Sequence, residues 1–586
     1  MNNNLHKLRQ AAIDASVDAY IIFNTDPHSC EYVPDDYLVV KQLCGFSGDN
    51  ATVVVTPTFA GLWTDFRFYI SGTEELKDSG VTLMKSTESS FLSWLKSNLK
   101  KGSVVAFDGR CTTASVYFDI KKKLDPLGIV LNQKLDLAPS FWINRPKAKI
   151  SQVYALDVKY TGLSTKEKIE ALIPKIKAEN ADRLLTSDLA EIAWLLNLRG
   201  SDISYCPVFK AFMLIGSDGS AVLFTDKIRF NNDVAEYLNR LGVVVCDYDL
   251  VYTALSGLPE GSSIIVDINS ASAELYLSVN KQCKIVERRS PIQLMKAQKN
   301  ETELANIRRT MIIDGVAMEK FFFWFENQLE NNIPTTEIAA AKKLLEYRTQ
   351  GEGFISESFE CISAFNAHSA MPHFAPSETN NLLIEKDGVY LVDSGGQYFT
   401  GTTDLTRVMP TGAFTSDFAI DYTLVLKAMV NIAMAKFPAK ANGCALDAIG
   451  RINLWRYGKD FGHGTGHGVG FCLNVHEGPV SISPGTTKTT FLPGMVTSDE
   501  PGIYIEGSYG IRIENLLAVQ KSEYEGFYSF ETLTLCHIDT SAVKTALLNT
   551  DEINFINEYN NRVYNTLSPY LNNDEKEYLK KRTAAI

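Results

Sequence analysis

The sequence runs Phe461-Gly-His-Gly-Thr-Gly-His-Gly-Val-Gly470 and, shortly afterwards, Asn474-Val-His-Glu-Gly-Pro479. These two segments hold His463, His467 and His476, three of the chain's eight histidines. Alternating glycines remove side-chain bulk around the first two histidines, so backbone and ligands can approach them closely. The glycines match neither the dinucleotide fingerprint nor a phosphate-binding loop, because no suitable lysine follows. The stretch therefore indicates a site built around histidine.

Acidic residues lie on both sides of this stretch. Asp393 ends the apolar run Val389–Val392, where an unpaired buried carboxylate would be costly. Glycines separate Asp393 from Asp404, and a hairpin with those glycines in its turn region would set the two carboxylates side by side on adjacent strands. Taken alone, the two aspartates fit solvated turn residues better than a site, and the other acidic residues reverse that preference.

Two glutamates strengthen the pattern. Pro501 lacks an amide proton and must end the strand predicted at 495–499, so the carboxylate of Glu500 can point into a cleft. Strand alternation over 509–519 puts Arg512 and Glu514 on one face. If that face is solvated, the two form a surface ion pair; if it points inward, Arg512 neutralises part of an acidic cluster.

Four carboxylates and one histidine form a hard, oxygen-rich donor set. Adjacent carboxylates repel each other, so such a cluster requires cations. The set suits paired Mn²⁺, Co²⁺, Fe²⁺ or Zn²⁺ better than the Cys/His set of structural zinc. Two metals roughly 3.5–4 Å apart lower the pKa of a shared water toward about 7. The residues alone therefore predict a two-metal hydrolase that attacks with a metal-bridging hydroxide.

Composition narrows the class of protein. A chain of 586 residues is too long for one core and should form two to four domains. The net charge of -12 argues against a nucleic-acid or anionic-membrane surface. The amino terminus lacks a signal-peptide hydrophobic region, and the ten cysteines are scattered without a CxxC pair. We therefore expect a cytoplasmic protein with no membrane or nucleic-acid partner.

The first 300 residues repeat one plan. A threonine-aspartate pair followed closely by an arginine next to phenylalanine occurs at 64–68 and again at 225–230. The predicted elements also recur in the same order: helix 5–15, strand 19–23 and strand 52–56, then helix 166–179, strand 183–188 and strand 211–215. This order predicts two related α/β domains.

The remaining chain predicts a C-terminal α+β domain. Apolar periodicity predicts helices at 296–328, 335–347, 416–436 and 444–456, and strands at 388–392, 403–409, 495–499 and 509–519. Residues 550–581 predict a helical extension. We therefore divide the chain into domains 1–155, 156–298 and 299–586.

Several motifs together resemble a known family. They are Val392-Asp-Ser-Gly-Gly-Gln-Tyr398, Gly401-Thr-Thr-Asp-Leu-Thr-Arg407, the stretch at 463–470, Val475-His-Glu-Gly-Pro479, Asp499-Glu-Pro-Gly502 and Gly510-Ile-Arg-Ile-Glu-Asn515. This combination resembles the pita-bread metallopeptidases, and within them the long, three-domain aminopeptidase P (Xaa-Pro aminopeptidase) group. Glu191-Ile-Ala-Trp-Leu-Leu-Asn-Leu-Arg-Gly-Ser-Asp202 is similar to that group's second domain. The resemblance implies two creatinase-like α/β domains followed by a pita-bread catalytic domain.

The resemblance also implies a ligand set. Asp393 would bind one metal ion, and His467 with Glu500 the other. Asp404 and Glu514 would bridge both ions. Glu500 would also accept the proton of the bridging water and pass it to the leaving amine. We expect Mn²⁺, with Zn²⁺ or Co²⁺ as alternatives.

Five further residues match substrate-facing positions of the family. His373 would steady the scissile carbonyl and the tetrahedral intermediate. His463 and His476 would lie beside the proline pocket and the reaction centre. Arg512 would brace the site, and Tyr504 would line the substrate channel.

One segment departs from the family form. Asn366-Ala-His-Ser-Ala-Met-Pro372 differs from the expected Asn-Gly-Ala form and contains an additional histidine, His368. We predict that His368 is a loop residue and not a metal ligand.

The resemblance implies an aminopeptidase that removes the first residue from peptides with proline in second place, acting as a homodimer. Prolidases that cleave Xaa-Pro dipeptides share the five ligands but usually have one N-terminal domain. A methionine aminopeptidase would leave the N-terminal half unexplained. Metal-free hydrolases of the creatinase type and non-catalytic peptide-binding relatives lose ligands that this chain keeps.

Overall fold

The structure is a computed structural model, and it describes residues 3–485 and 489–586. The chain divides into two compact units. One comprises Met1–Leu156 with Leu163–Gln293, and the other comprises Asp157–Gly162 with Leu294–Ile586. We describe each unit by itself.

The first unit begins with a six-stranded sheet flanked by helices. Its strands are β1 Ala19–Phe23, β2 Thr52–Val55, β3 Ala60–Thr64, β4 Thr82–Lys85, β5 Val104–Ala106 and β6 Val130–Asn132. Its helices are α1 Asn3–Asp14, α2 Val39–Cys44, α3 Tyr69–Glu75, α4 Phe91–Asn98 and α5 Ala114–Leu124. The strand order is β4-β3-β2-β1-β5-β6.

A second six-stranded sheet follows, with order β12-β11-β10-β8-β13-β14. The strands of this stretch are β7 Tyr154–Ala155, β8 Arg183–Thr186, β9 Leu198–Arg199, β10 Phe212–Gly216, β11 Ala221–Phe224, β12 Val243–Cys246, β13 Ser263–Val266 and β14 Lys284–Glu287. The helices of this part of the chain are α6 Val158–Thr161, α7 Thr165–Ala178, α8 Leu189–Leu196, α9 Asn232–Arg240, α10 Leu250–Ser256, α11 Ala273–Ser278 and α12 Pro291–Ala297. Of these, α6 belongs to the second unit, and α12 begins in the first unit and ends in the second.

The two sheets share strand order and strand direction. In the first sheet, β1 pairs antiparallel with β2 on one side and parallel with β5 on the other. In the second sheet, β8 likewise pairs antiparallel with β10 and parallel with β13. The outer pairs, β3–β4 and β11–β12, are both parallel. The duplication predicted from the recurring elements is confirmed at the level of topology.

The second unit contains a mixed set of smaller sheets. Its strands are β15 Thr335–Thr336, β16 Phe354–Glu357, β17 Ile362–Phe365, β18 Leu383–Ile384, β19 Val389–Ser394, β20 Gly396–Tyr398, β21 Gly401–Thr402, β22 Leu405–Pro410, β23 Phe437–Pro438, β24 Gly466–Gly468, β25 Glu477–Ile482, β26 Val496–Asp499, β27 Gly502–Ile505, β28 Tyr509–Arg512, β29 Asn515–Lys521 and β30 Phe527–Thr532. Its long helices are α13 Glu301–Glu330, α14 Glu337–Arg348, α15 Ser416–Ala433, α16 Gly443–Trp455, α17 Thr550–Leu567 and α18 Asn573–Arg582.

Helices cover these sheets with apolar side chains. Phe321 and Phe325 of α13 pack in one core with Tyr390 and Val392 of β19. A second core joins the carboxyl end of α15 and the start of α16 to β25 and β29. Burying a large side chain in this way stabilises the fold by about 1.5–3 kcal/mol. The sheets that carry the candidate site are therefore rigidly backed.

Two predicted elements are wrong in their extent. The helix predicted at 296–328 is interrupted, because the Asn300 side chain accepts from the Glu303 amide and Glu303 bonds back to Asn300, which starts α13 afresh. The strand predicted at 509–519 is broken between β28 and β29, because the Glu514 amide donates to the Thr406 carbonyl of another sheet.

Candidate metal centre and active site

Asp393 and Asp404 lie on or directly beside neighbouring strands of the sheet β17-β19-β22. Asp393 of β19 stands opposite Thr406 of the antiparallel strand β22, and Asp404 directly precedes that strand. The intervening chain forms the short β20–β21 hairpin. The two aspartates are 7% and 4% exposed. The backbone thus sets two buried carboxylates beside each other.

Glu500 and Glu514 flank strands of the larger sheet β23-β30-β29-β26-β24-β25. Glu500 follows β26, and its amide donates to the Thr465 carbonyl at 2.8 Å. Glu514 lies between β28 and β29, and its amide donates to the Thr406 carbonyl at 3.1 Å. The Thr406 hydroxyl donates to Glu514 Oε2 at 2.8 Å. Thr406 therefore joins the two sheets at the carboxylates.

His467 lies in the middle of β24, and its amide donates to Ser498 Oγ at 2.9 Å. Its Nδ1 is 3.0 Å from the Gly468 carbonyl, which can only accept, so Nδ1 carries the proton. In a neutral ring this leaves Nε2 with a lone pair for a metal. That atom is 3.4 Å from Asp404 Oδ2 and 3.3 Å from Glu500 Oε1.

These side chains converge on one small volume. Ligand atoms lie within 4.8 Å of one another in three overlapping sets: Asp393, Asp404 and Glu514; His467, Glu500 and Glu514; and Asp404, His467 and His476. Asp393 Oδ1 and Glu514 Oε1 are buried and accept no hydrogen bond from the described residues. A buried carboxylate oxygen without a donor is costly unless a cation binds it. The donor set fits a pair of divalent cations.

The electrostatics of the carboxyl groups agree with this fit. The pKa values of Asp393, Glu500 and Glu514 are all raised, chiefly by burial and further by the charge of Asp404. The positive charge of Arg512 opposes the rise in each case. Cations among these groups would remove the repulsion that keeps them from ionising together.

Arg512 connects the carboxylates to two further site residues. Its guanidinium pairs with Asp393 Oδ2, and its Nη1 donates to the Tyr504 hydroxyl at 2.7 Å. That hydroxyl is 2.7 Å from His463 Nε2. Because His463 Nδ1 donates to the Gly464 carbonyl at 2.8 Å, its Nε2 accepts from Tyr504. One hydrogen-bonded chain thus runs from Asp393 to His463.

His463 and Tyr504 are both neutral at the end of this chain. Burial, together with the charge of Arg512, lowers the pKa of His463 to about 3. Burial raises the pKa of Tyr504 to about 12. In this arrangement His463 has a fixed, uncharged ring.

His373 and His476 lie in loops. His373 is exposed after the 3-10 turn Asn366–Ala370, close enough that its charge lowers the pKa of Asp393. The ring of His476 stands at 90° to the ring of His467, with centroids 4.3 Å apart. Sequence reasoning assigned His476 to substrate, whereas the geometry also groups it with possible metal ligands.

Three pairs or clusters of largely buried ionisable side chains lie behind these loops, and sequence reasoning missed all of them. They are Arg451–Asp447, Lys299–Glu477 with Lys296, and His368–Glu337. Only the first has a local signal, because its partners stand four residues apart on a predicted helix. The others join residues that are far apart in the sequence.

Arg451 of α16 holds the His463 loop. Its Nε pairs with both oxygens of Asp447 at 2.9–3.0 Å, while its Nη1 and Nη2 donate to the carbonyls of Phe461 and His463, each at 2.6 Å. Asp447 also accepts from the Thr465 hydroxyl at 2.6 Å. One ion pair therefore fixes both ends of the loop 461–465.

Glu477 follows His476 and is held by two lysines. Its carboxylate lies 2.7 Å from Lys299 Nζ and 2.9 Å from Lys296 Nζ. All three side chains are buried. Burial by itself raises the pKa of Glu477, but the two ammonium groups outweigh it and hold the pKa below its usual value.

One more group of possible ligands lies outside this site. Glu319, Cys536 and His537 are buried together. Glu319 accepts from the His537 amide at 2.8 Å and pairs with its Nδ1 at 2.7 Å. Both oxygens of the carboxylate are thus already satisfied, and the guanidinium of Arg407 binds the carbonyls of Cys536 and His537 beside it. These residues therefore form a structural hydrogen-bond network.

Models of known families match most of the chain. Two models of the Creatinase/Prolidase N-terminal domain match residues 4–131 and 144–303. Metallopeptidase family M24 matches residues 305–521, and the C-terminal region of peptidase M24 matches residues 526–586. The two N-terminal matches agree with the two sheets of one topology.

Relatives are similar along nearly their whole length. Xaa-Pro aminopeptidase 1 of Dictyostelium discoideum is 35% identical over 593 residues, covering 97% of this chain and 94% of the relative. Xaa-Pro aminopeptidase app-1 of Caenorhabditis elegans is 35% identical over 588 residues, covering 97% and 95%.

Two solved structures differ in how much of this chain they match. The X-prolyl aminopeptidase of Caenorhabditis elegans, described as a cytosolic enzyme with a di-nuclear active site, aligns with a TM-score of 0.96 at 33% identity, covering 100% of this chain and 99% of that one. The Xaa-Pro dipeptidase of Bacillus anthracis shares the fold, with a TM-score of 0.51 at 23% identity, and covers 63% of this chain and 98% of its own. The dipeptidase therefore leaves more than a third of this chain unmatched.

Proposed function

The chain belongs to metallopeptidase family M24, among the Xaa-Pro aminopeptidases, and on that premise we propose that it hydrolyses the first peptide bond of peptides whose second residue is proline. One observation carries the proposal. Three buried carboxylates, the partly buried Glu500 and His467 meet in overlapping ligand sets, and two of the oxygens have no hydrogen-bond donor among the described residues.

We propose that Asp393 binds one divalent cation and that His467 and Glu500 bind the other. Asp404 and Glu514 would lie between the two ions, since each shares one ligand set with Asp393 and another with His467. When bound, such a pair lowers the pKa of a water toward about 7 and polarises the scissile carbonyl.

Glu500 is the proposed proton carrier. As a water oxygen bonds to the scissile carbon, the Glu500 carboxylate accepts its proton, and it then donates that proton to the proline nitrogen as the C–N bond breaks. Burial raises the pKa of Glu500 above its ordinary value, and the charge of His467 opposes the rise.

The remaining residues orient the peptide in this proposal. His373 would donate to the oxygen of the tetrahedral intermediate, where charge develops. His463 and His476 would border the proline ring, Tyr504 would line the channel, and Arg512 would hold Asp393 and Tyr504 in place. The neutral, hydrogen-bonded state of His463 suits packing against an uncharged ring.

Three peptides test the function: Xaa-Pro-Yaa, the dipeptide Xaa-Pro, and Met-Ala-Ser. Proline's tertiary amide lacks an N–H, so its recognition needs a ring-shaped pocket and not a donor contact. We expect release of Xaa from the first peptide and little cleavage of the others, measured by chromatography of the products. Preferential cleavage of the dipeptide would favour a prolidase, and no cleavage of any would overturn the proposal.

We propose Mn²⁺ as the physiological metal, with Zn²⁺ or Co²⁺ as alternatives. The oxygen-rich donor set supports this choice. Chelation should abolish turnover, and Mn²⁺ should restore it best, with about two ions bound per chain by mass spectrometry. Activity that is indifferent to chelators would contradict the metal assignment.

We also propose a homodimer. Ile449, Ile452 and Trp455 follow one another at three-residue spacing along α16 and are 36%, 42% and 47% exposed, and Tyr457 beyond the helix is 50% exposed. An apolar strip of this kind suits a partner surface. Light scattering should give twice the chain mass for the parent protein and a single chain mass for Trp455→Asp. A monomeric parent would refute the dimer.

Two finer assignments also remain proposals. A cytoplasmic location is supported by the cytosolic description of the Caenorhabditis elegans relative. No helix of the described residues is long and apolar enough to span a bilayer. The division at 1–155, 156–298 and 299–586 is supported by the extents of the matching family models.

A further inference from the structure

Glu337 is a fully buried carboxylate at the first position of α14. It accepts hydrogen bonds from the amides of Phe365 at 2.7 Å and Leu382 at 2.8 Å. The Nδ1 atom of His368 lies 2.9 Å and 3.0 Å from its two oxygens. An ionised carboxylate accepts hydrogen bonds and cannot donate them, so His368 donates to Glu337.

These donors mark the start, the first turn and the end of one loop. Phe365 is the last residue of β17, and Leu382 directly precedes β18. His368 lies between them in the 3-10 turn Asn366–Ala370. Glu337 therefore closes the loop 366–381, which carries His373.

Both chain neighbours of His373 are held in place. The Pro372 carbonyl accepts from Arg512 Nη2 at 3.3 Å. On the other side, the Phe374 ring packs against the His368 ring, with centroids 4.2 Å apart and planes at 32°. Phe374 is 5% exposed, whereas His373 itself is exposed. The His368 ring thus links the buried Glu337 carboxylate to the residue that follows His373.

We propose that His368 is a positioning residue: together with Glu337 it holds the backbone of His373 in the orientation that the reaction needs. The inference rests on the proposed function, because it assigns His373 to the scissile carbonyl. An exposed loop has many accessible conformations. Misplacing a catalytic group by about 1 Å can lower a rate about a hundredfold.

A ligand role for His368 does not fit the contacts. Its Nδ1 is used by Glu337, its ring packs on Phe374, and none of the possible ligand sets among the described residues includes it. Its contribution to the reaction is therefore through the loop.

The test compares His368→Ala with His368→Asn in the full-length metal-loaded protein. The alanine variant loses both the bond to Glu337 and the packing on Phe374. We expect kcat for Xaa-Pro-Yaa to fall about tenfold, with KM changed less than about twofold and two metals retained. The asparagine amide can still donate to Glu337, so this variant should recover part of the loss. His6→Ala, at an exposed position of α1, serves as the control.

Hydrogen exchange of the amides in 366–381 gives a readout that does not require activity. Exchange should be faster in His368→Ala and close to parental in the control. Parental kcat and parental exchange in the alanine variant would overturn the inference, as would loss of metal. If the parent itself fails to cleave Xaa-Pro-Yaa, the proposed function fails, and unchanged exchange would then still overturn the positioning role.

Discussion

The carboxylates of the candidate site and its loop histidines lie on different kinds of backbone. Asp393 lies within β19. Asp404, Glu500 and Glu514 each directly precede or follow a strand that is paired along its length with a neighbouring strand. His373, His463 and His476 lie in loops, and each loop is tied down by largely buried, paired ionisable side chains.

The acids and the loop histidines are therefore positioned by different kinds of contact. Strand pairing spreads the positioning of the acids over many backbone hydrogen bonds, so no single side chain decides where they stand. A loop has no such ladder, and its shape depends on a few side-chain contacts. We therefore expect changes at the acids to abolish the chemistry, and changes behind the loops to weaken it in steps.

Asp404→Asn should have the largest effect. It keeps the side-chain shape but removes a charge shared by two ligand sets. Turnover of Xaa-Pro-Yaa should fall more than about a thousandfold, which corresponds to several kcal/mol of lost stabilisation. In the metal-free protein the thermal unfolding midpoint should not fall, because repulsion among the acids decreases.

Asp417→Asn, at an exposed position on the first turn of α15, is the matched control and should leave turnover unchanged. Retention of a tenth of the parental kcat by Asp404→Asn would contradict its placement between the two cations.

Arg451→Lys should have an intermediate effect. Lysine can still neutralise Asp447, but its single ammonium cannot also reach the carbonyls of Phe461 and His463 that the guanidinium binds. We expect kcat to fall about tenfold or more, with both metals retained, because the His463 loop is misplaced.

Arg308→Lys provides the comparison for that variant. Arg308 pairs with Glu531 at 2.7 Å, but its side chain is 45% exposed, so the change should be nearly neutral. Equal kinetics for the two variants would show that a loop histidine does not depend on its buried pair.

Glu477→Gln should have the smallest effect on turnover, a loss of a few fold, and a larger effect on stability. At pH 7 it leaves two buried lysines without their counter-charge, which costs about 3 kcal/mol. The lowered pKa of Glu477 means that its stabilisation is present above the unfolded value near pH 4.3 and is lost as pH falls through the folded value.

The gap in unfolding free energy between parent and Glu477→Gln should therefore shrink below about pH 4, as measured by urea unfolding across the pH range. Glu531→Gln, in the exposed pair with Arg308, should show only a small gap at any pH. A gap for Glu477→Gln that is constant with pH would mean that the ionised carboxylate is not the stabilising species.

Much of the fold could be predicted where the signal is local. The strand predicted at 19–23 coincides with β1, and the predicted order of elements in both N-terminal copies matches the two sheets. Predictions were wrong where a side chain or a distant strand intervened. Asn300 restarts a helix by capping it, and Thr406 draws Glu514 out of a continuous strand.

In the candidate site, too, features with a local cause could be predicted and long-range contacts could not. The candidate ligands could be recognised because each stands in a short motif whose glycines, proline or alternation have local causes. The pairs behind the loops could not, because Glu337 and His368, or Lys299 and Glu477, lie 31 and 178 residues apart. No pattern along the chain records such a contact.

The sequence by itself determined which donor types the site can offer and that the N-terminal plan occurs twice, since both follow from residue identity and short-range spacing. The tertiary structure alone decided that β19, β24 and the residues next to β22, β26 and β29 bring those donors together in overlapping sets, each within 4.8 Å. It also decided which ionisable side chains hold each histidine loop. Strand pairing and burial act between residues that are distant in the chain, so only the folded molecule expresses them.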